Sequence, residues 1–386
     1  MLLIVWHSKN EFNFLKQKLT KEIAYKALQN FFDETPFIMF ATGTSCAVDI
    51  GFGMAALEHH LKMVIPKCNL SSKQLCEWQK VLELLAESSD FEAAMNSISD
   101  LTLLSYVVNE TAKIVALVQN KNIDKILSDP FSWTANEIIS RLLNKLPSSN
   151  PVLHMATPNY DLLAEIAMSS IKVPYVTGFW GGAIRTLDWK QSQRQMTYPE
   201  LQQVGRTKKQ SITRRMNHVK LYKVHGSLNV FCKDREVVEC DLWQHPPSGF
   251  ERLLITPGTS KHEKLHDYRD VLLGEYDDAV RAHNRFLFLG FGFNDTQLVN
   301  NAITDKLTKN RSDALIITRD SNSRIEQLLS SAKNTWLVCK SEKDDSTRIY
   351  NSSYDDWLYL NDKELWRFDH FANEIMGRQL DGYFSI

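Results

Sequence analysis

The chain has 386 residues, enough for one large domain or two ordinary ones. With 43% apolar and 24% charged residues it has an ordinary globular balance, which excludes disorder as a global state. A formal net charge of −1 leaves no electrostatic footprint for nucleic acid or an anionic membrane.

Residues 1–6 are apolar but short, and lack the basic region and small-residue cleavage site of a secretory leader. No apolar run reads as a bilayer span, so a cytoplasmic protein is expected. Residues 10–35 are predicted helical, with Phe14, Leu15, Leu19, Ile23 and Leu28 at helical spacing. Phe37 to Phe40 reads as a buried strand that runs into the small-residue turn Ala41-Thr42-Gly43-Thr44-Ser45, and a helix is expected through Gly53 to Leu57. From 70 to 147 the pattern is helical. One stripe is Leu75, Trp78, Leu82 and Leu85; later stripes carry Ile114 and Leu117, then Ile138, Leu142 and Leu146. Thr134-Ala135-Asn136-Glu137 fits a capping box.

The period then changes. Val152–Ala156 is a strand, Leu162–Met168 a helix, and Val173–Val176 a second short strand. The stretch 183–218, rich in Arg, Lys and Gln, reads first as a long solvated surface loop and second as one that holds phosphate or contacts a partner chain. Val219–Val224, Phe286–Leu289, Ala314–Ile317 and Thr335–Cys339 are further strands. A polar tail at 340–360 precedes a terminal helix at Leu365–Met376. Short apolar strands alternating with helices predict an α/β fold, a doubly wound (Rossmann-like) parallel sheet with an inserted helical module. The expected layout is a single domain. Residues 36–60 and 150–340 form the core, 61–149 the module, and 341–386 a C-terminal tail and helix.

Ligands of such sheets bind beyond the carboxyl ends of the strands. Four apolar strands are followed there by small or polar residues: Ala41–Ser45, Thr157-Pro158-Asn159-Tyr160-Asp161, His225-Gly226-Ser227 and Gly290-Phe291-Gly292-Phe293-Asn294-Asp295. The coincidence points to a nucleotide crevice. Taken singly, each has a second reading. The first is either a pyrophosphate cradle or a plain strand-to-helix turn. Asn159 and Asp161 either cap a helix or reach a ribose or carboxamide. His225 is either a satisfied core histidine or a general base. The six cysteines, Cys46, Cys68, Cys76, Cys232, Cys240 and Cys339, form no Cys-x-x-Cys pair and read as buried thiols, with no metal expected.

In order, these segments resemble the sirtuin superfamily over residues 36–340. That family carries a Gly-Ala-Gly-x-Ser turn, Thr-x-Asn-x-Asp, His-Gly and a later Gly-rich turn. The central and later motifs are most similar to the bacterial sirtuin-like proteins of anti-phage defence. In those proteins Asn-Tyr-Asp-Leu, His-Gly-Ser-Leu, Pro-Gly and Gly-Phe-Gly-x-x-Asp recur, and Pro257-Gly258 falls in the matching interval. The resemblance implies NAD⁺ as substrate and Asn159, Asp161 and His225 as catalytic residues. It implies Thr42, Gly43, Ser45, Thr157, Gly226, Gly290, Gly292 and Asp295 as cofactor-binding residues. Ala41 and Thr42 depart from the pattern by adding bulk to the first turn.

Sirtuin deacylases carry a zinc ribbon of two Cys-x-x-Cys pairs after His-Gly, where this chain has only Cys232 and Cys240. NAD⁺ hydrolysis to nicotinamide and ADP-ribose is therefore the favoured reaction, as the toxic effector of an abortive-infection system. The resemblance further implies a protein partner from the same defence operon, a HerA-type ATPase or a nucleotide-sensing protein, and a homo-oligomer; neither a membrane nor direct nucleic-acid binding is expected. An NAD-dependent protein deacylase and a non-catalytic NAD or ADP-ribose-binding module fit the same residues.

Overall fold

The computed structural model describes residues 17–88, 91–204, 208–234, 236–255, 273–295, 298–299 and 301–377. The apolar start, Phe14, Leu15 and Pro257-Gly258 lie outside the described residues. The helix predicted over 10–35 is described from Lys21 to Asn30.

The strands, in chain order, are β1 (Phe37–Phe40), β2 (Val152–Thr157), β3 (Tyr175–Val176), β4 (Phe179–Gly181), β5 (Arg185–Leu187), β6 (Thr197–Val204), β7 (Lys208–Arg215), β8 (His218–Lys223), β9 (Gly226–Lys233), β10 (Glu236–Glu239), β11 (Glu251–Leu254), β12 (Arg285–Leu289), β13 (Asp313–Ile317), β14 (Thr335–Lys340), β15 (Thr347–Tyr350) and β16 (Leu358–Leu360). Nine of them form the central sheet in the order β16-β15-β14-β13-β12-β1-β2-β8-β3. Every pairing from β14 to β3 is parallel, and β15 and β16 are antiparallel additions. The mostly parallel sheet, flanked by helices, is the Rossmann-like arrangement expected.

The central strands β1, β12 and β13 carry apolar runs because both faces are covered. Alternate residues enter different cores. Phe37, Met39, Phe286, Phe288, Ala314 and Ile316 pack on one face. Ile38, Phe40, Leu287, Leu289, Leu315 and Ile317 pack on the other. Each fully buried Leu, Ile or Phe contributes about 1.5–3 kcal/mol of hydrophobic free energy.

The direction in which the sheet grows reverses between β1 and β12, which run parallel. After β1 the sheet grows outward through β2 and β8; β12 then returns to the opposite side of β1 and growth continues through β13 and β14. This is the switch point at which such sheets bind ligands.

Helices Met54–Val64, Ser72–Ser88, Phe91–Met95 and Leu101–Ser128 follow β1. They share a separate core that includes Leu61, Trp78, Val81, Phe91, Met95 and Val107. Two stripe positions miss it, since Leu75 and Leu117 face solvent. Helix Ala135–Asn144 instead packs into the sheet core through Ile138, Ile139 and Leu142.

Helix Leu101–Ser128 is long and apolar enough to cross a membrane, contrary to the reading that no run is. Its polar residues tie it into the fold instead: Gln119 accepts from the Leu162 amide at 2.7 Å, and Asn122 donates to Asp49 at 3.0 Å. The capping box at Thr134 does not form. Thr134 is itself helical in backbone and caps nothing, while Glu137 pairs with Arg141 one turn on.

The predicted loop at 183–218 is mostly structured. It holds β5, helix Trp189–Arg194 and an antiparallel hairpin of β6 and β7 that pairs with no other sheet. Neither face of the hairpin is buried, so its strands lack the apolar alternation that identifies strands in sequence. The tail at 340–360 likewise contributes β15 and β16 to the main sheet. Cys232 and Cys240 are buried by an antiparallel sheet of order β11-β9-β10-β5-β4, whereas Cys68 is only half-buried and Cys76 is exposed on its helix, contrary to the buried thiols expected.

Candidate active site

A cavity of about 700 Å³ lies at the carboxyl ends of β1, β2, β8 and β12. Its polar wall includes Thr42, Asn159, Asp161, His225, Asp295 and Asn322. Its apolar wall, which includes Leu57, Phe91, Met95, Val107 and Ile114, comes from the helices inserted after β1.

Gly43 and Gly290 meet at the switch point. The Gly43 amide donates to the Gly290 carbonyl at 3.1 Å, and a β-carbon on either glycine would fall 2.6–2.7 Å from the other's α-carbon. Gly290 also has φ +57°, a region glycine adopts without steric cost. The absent side chain of Gly43 therefore makes room for the neighbouring loop. Ala41 and Thr42, the bulkier members of the turn, face the cavity.

The rest of the turn is helical over Thr42–Cys46, which directs Ser45 inward beneath the cavity, where it is buried. Ser45 Oγ donates to Asp161 Oδ2 at 2.8 Å and accepts from Asn159 Nδ2 at 3.0 Å. Ser45 has one proton to give, and a carboxylate can only accept it. The hydroxyl must therefore accept from the Asn159 amide, which leaves Asn159 Oδ1 as that residue's free atom. Asn159 Oδ1 is buried with no protein partner.

Both oxygens of Asp161 are committed, Oδ2 to Ser45 and Oδ1 to the amide of Leu163, the first residue of helix Leu163–Ser170, at 3.2 Å. Its carbonyl accepts from Lys223 Nζ at 2.6 Å, and Lys223 forms a buried ion pair with Glu165 at 2.9 Å. Thr157 is wholly buried, and its hydroxyl accepts from the backbone N–H of Asn159 at 3.1 Å. Burial, then the nearby Asp161 carboxylate, pushes the Cys46 thiol up to about 11, so it is no nucleophile at neutral pH.

His225 lies two residues past β8, with only 4% of its surface exposed. Its Nε2 hydrogen-bonds Asp295 Oδ2. That nitrogen must carry a proton to face a carboxylate, so the lone pair lies on Nδ1 in the neutral ring. Nδ1 is buried and has no protein partner. Gly226, at φ +74°, leaves no space for a side chain, since a β-carbon would stand 1.9 Å from the Leu253 carbonyl. This contact places β11 against the His-Gly turn, and the Ile255 amide donates to the His225 carbonyl at 2.9 Å.

Asp295 is aimed by the loop after β12. Phe293 holds φ +57°, a costly conformation for a bulky residue. Its ring is anchored 4.7 Å from Phe288 and 5.0 Å from Phe291. Asn322 Nδ2 donates to the Gly292 carbonyl at 2.8 Å, and Arg324 donates to the Asn294 carbonyl at 2.7 Å. The loop is thus pinned from below by aromatic packing and from the side by the start of helix Ser323–Ser331.

Of the residues singled out in sequence, Thr42, Asn159, Asp161, His225, Gly290, Gly292 and Asp295 line the cavity, whereas Gly43, Ser45, Thr157 and Gly226 stand behind its wall. Asp295, read as a cofactor contact, pairs with His225. The apolar wall and Asn322 and Arg324 were not anticipated. Ile114 alone was picked out, as a stripe residue, and nothing in the stripe said that it faces a ligand.

Residues 153–337 match the family profile described as a SIR2-like domain. The match runs from β2 into β14, just under half of the chain, and takes in the Asn159–Asp161, His225–Gly226 and Gly290–Asp295 segments. It supports a sirtuin-like family and, broadly, an NAD-related activity. No curated protein matches the chain.

Proposed function

We propose that this chain is an NAD⁺ hydrolase, releasing nicotinamide and ADP-ribose, and that it serves as the cytoplasmic toxic effector of a bacterial anti-phage abortive-infection system. The observation that carries the reading is the pairing of His225 with Asp295 at the rim of a cavity that also presents Asn159. Among the polar atoms of the cavity-lining residues, Asn159 Oδ1, His225 Nδ1 and Thr111 Oγ1 are buried without a protein partner. Such atoms are what a bound polar ligand satisfies, and about 700 Å³ is within the range of cofactor-sized sites.

In the proposed reaction the bond between C1′ of the ribose and the nicotinamide nitrogen breaks. Its electron pair leaves with nicotinamide, and positive charge develops on the ribose. Asn159 Oδ1 holds the attacking water or a ribose hydroxyl. Water adds to C1′, and its proton passes to His225 Nδ1. Asp295 holds the ring and stabilises the imidazolium that forms. Asp161 acts at one remove, fixing Asn159 through Ser45.

An NADase left on would exhaust its own cell, so activity needs a switch. We assign that role to a partner encoded beside the chain, a HerA-type ATPase or a nucleotide-sensing protein, acting on a homo-oligomer. The projecting β6–β7 hairpin, which carries Lys208, Lys209, Arg214 and Arg215, and the inserted helices are the candidate contact surfaces.

Hydrolysis is favoured over deacylation because the interval after His225-Gly226 supplies two thiols, not the four of a zinc ribbon. Nicotinamide release measured with and without an acyl-lysine peptide separates the two. Release independent of peptide supports the hydrolase; release only with peptide makes the chain a deacylase.

A further inference from the structure

A second cavity, of about 600 Å³, opens beside helix Leu163–Ser170 and shares no lining residue with the first. Glu165, Glu239 and Asp241 line it. Two cations answer these three carboxylates. Arg185 bridges Glu239 and Asp241, at 2.7 Å to each, and Lys223 pairs with Glu165 at 2.9 Å. With all three ionised one negative charge is left over, and burial, which raises the Glu165 and Glu239 carboxyls, makes that excess costly without a further cation.

Three lining residues carry buried polar atoms with no protein partner, namely Glu165 Oε2, Asn229 Oδ1 and Ser192 Oγ. All three residues are more than nine-tenths buried. Asn229 donates its amide nitrogen to Asp241 at 2.7 Å and to Glu239 at 3.4 Å, so its carbonyl oxygen is the end left over. Two aromatic rings, Tyr175 and Phe179, complete the wall. Asp241, with Ser169 and Gln195, is among its exposed polar members and marks the mouth. Among the described residues no group of His, Cys, Asp and Glu has the geometry to hold a metal ion, so an organic cation suits the site better than a bare metal.

We propose that this cavity binds a small alkylammonium ligand. A protonated amine offers three N–H donors and no acceptor, matching three acceptor-capable atoms that lack partners. Its charge cancels the surplus carboxylate, and aromatic walls favour a cation over their faces. An anion would meet the leftover charge and the Asp241 carboxylate at the mouth.

Calorimetric titration of the full chain with putrescine, spermidine and Nα-acetyl-lysinamide tests this, with 1,4-butanediol and salt of matched ionic strength as controls. Saturable one-site binding of an amine, absent for butanediol, is expected. Glu165→Gln should weaken it by at least about tenfold, and Ser192→Met, which fills the cavity, should abolish it; Asn229→Ser serves if either fails to fold. Preference for the free polyamines identifies a metabolite; preference for lysinamide identifies a basic side chain of a partner. The proposal is overturned if no amine saturates, if butanediol or salt reproduces the effect, or if the folded variants bind like the parent. The titration needs no turnover, so its outcome is independent of the proposed NAD⁺ chemistry.

Discussion

The amide of Gly43 reaches the carbonyl of Gly290 at 3.1 Å across the switch point, and neither residue leaves space for a β-carbon on the other. The two loops that frame the cavity are therefore held at a spacing only paired glycines permit. Gly43→Ala and Gly290→Ala should each destabilise the fold by about 1–3 kcal/mol, with Gly290→Ala the more severe because it adds left-handed backbone strain to the clash. Urea unfolding of each variant measures this; unchanged midpoints would show that the loops can part freely.

Ser45 is the hinge between Asp161 and Asn159. Ser45→Ala removes the hydroxyl that orients the Asn159 amide without removing a group that touches substrate. Turnover should fall by about 10- to 100-fold, as when a positioning contact is lost, while Asn159→Ala should fall further. Steady-state kinetics on both variants decide it, and Ser45→Thr, which restores the hydroxyl, should recover part of the loss. Equal rates for Ser45→Ala and the parent would remove the relay from the mechanism.

The arrangement of strands was legible in sequence because continuous apolar runs such as Phe286–Leu289 can be little else when bounded by glycine and charge. The positions of Asn159 and His225 followed from the strand ends. The parts that escaped notice share a physical cause. The β6–β7 hairpin buries neither face, so no period-two signal exists. Asp295 meets His225 across 70 residues of chain, a relation that no local pattern encodes. The apolar wall at Phe91, Met95 and Val107 uses the same residue types as a core, and only packing shows that part of that face is left open to a ligand. Glycine at 43 signals a close approach, and Gly290 is one group that approaches it.

Three histidines, His218 buried and His154 and His283 half-buried, lower the stability of the fold in acid. Burial, then the neighbouring His283 and Lys220, holds His154 at about 3, and burial likewise lowers His218 and His283. An unfolded chain protonates histidine near about 6.5, so at lower pH the unfolded state binds more protons. Stability is complete above that value and declines as pH falls through it towards 3, with each histidine adding a slope of up to about 1.4 kcal/mol per pH unit. Denaturation midpoints between pH 7.5 and 5 should fall, and His154→Gln should flatten the decline; a flat profile in the parent would contradict the burial of neutral rings.

Asp49 fastens the cavity edge at Gly51 and Phe52 to helix Leu101–Ser128. Its carboxyl is drawn down to about 2 by the Asn122 amide, then by the Gly51 amide and Lys121. A depressed carboxylate stabilises the fold above its unfolded value of about 3.9 and loses that contribution as pH falls towards 2. Asn122→Ala should cost about 1–2 kcal/mol at neutral pH, and the cost should shrink below pH 4. Paired thermal melts at pH 7 and pH 3 check the sign; a constant penalty would mean that Asn122 acts through packing alone.

The most direct test of the proposed chemistry is NAD⁺ cleavage by the parent and His225→Ala, purified and assayed with the products of the neighbouring genes and no acyl peptide. The parent should release nicotinamide and ADP-ribose in equal amounts. His225→Ala should lose about 10²–10⁴-fold in rate while melting within about 2 °C of the parent, a shift well under that of 1 kcal/mol. Cleavage by His225→Ala at the parent's rate would contradict the assignment.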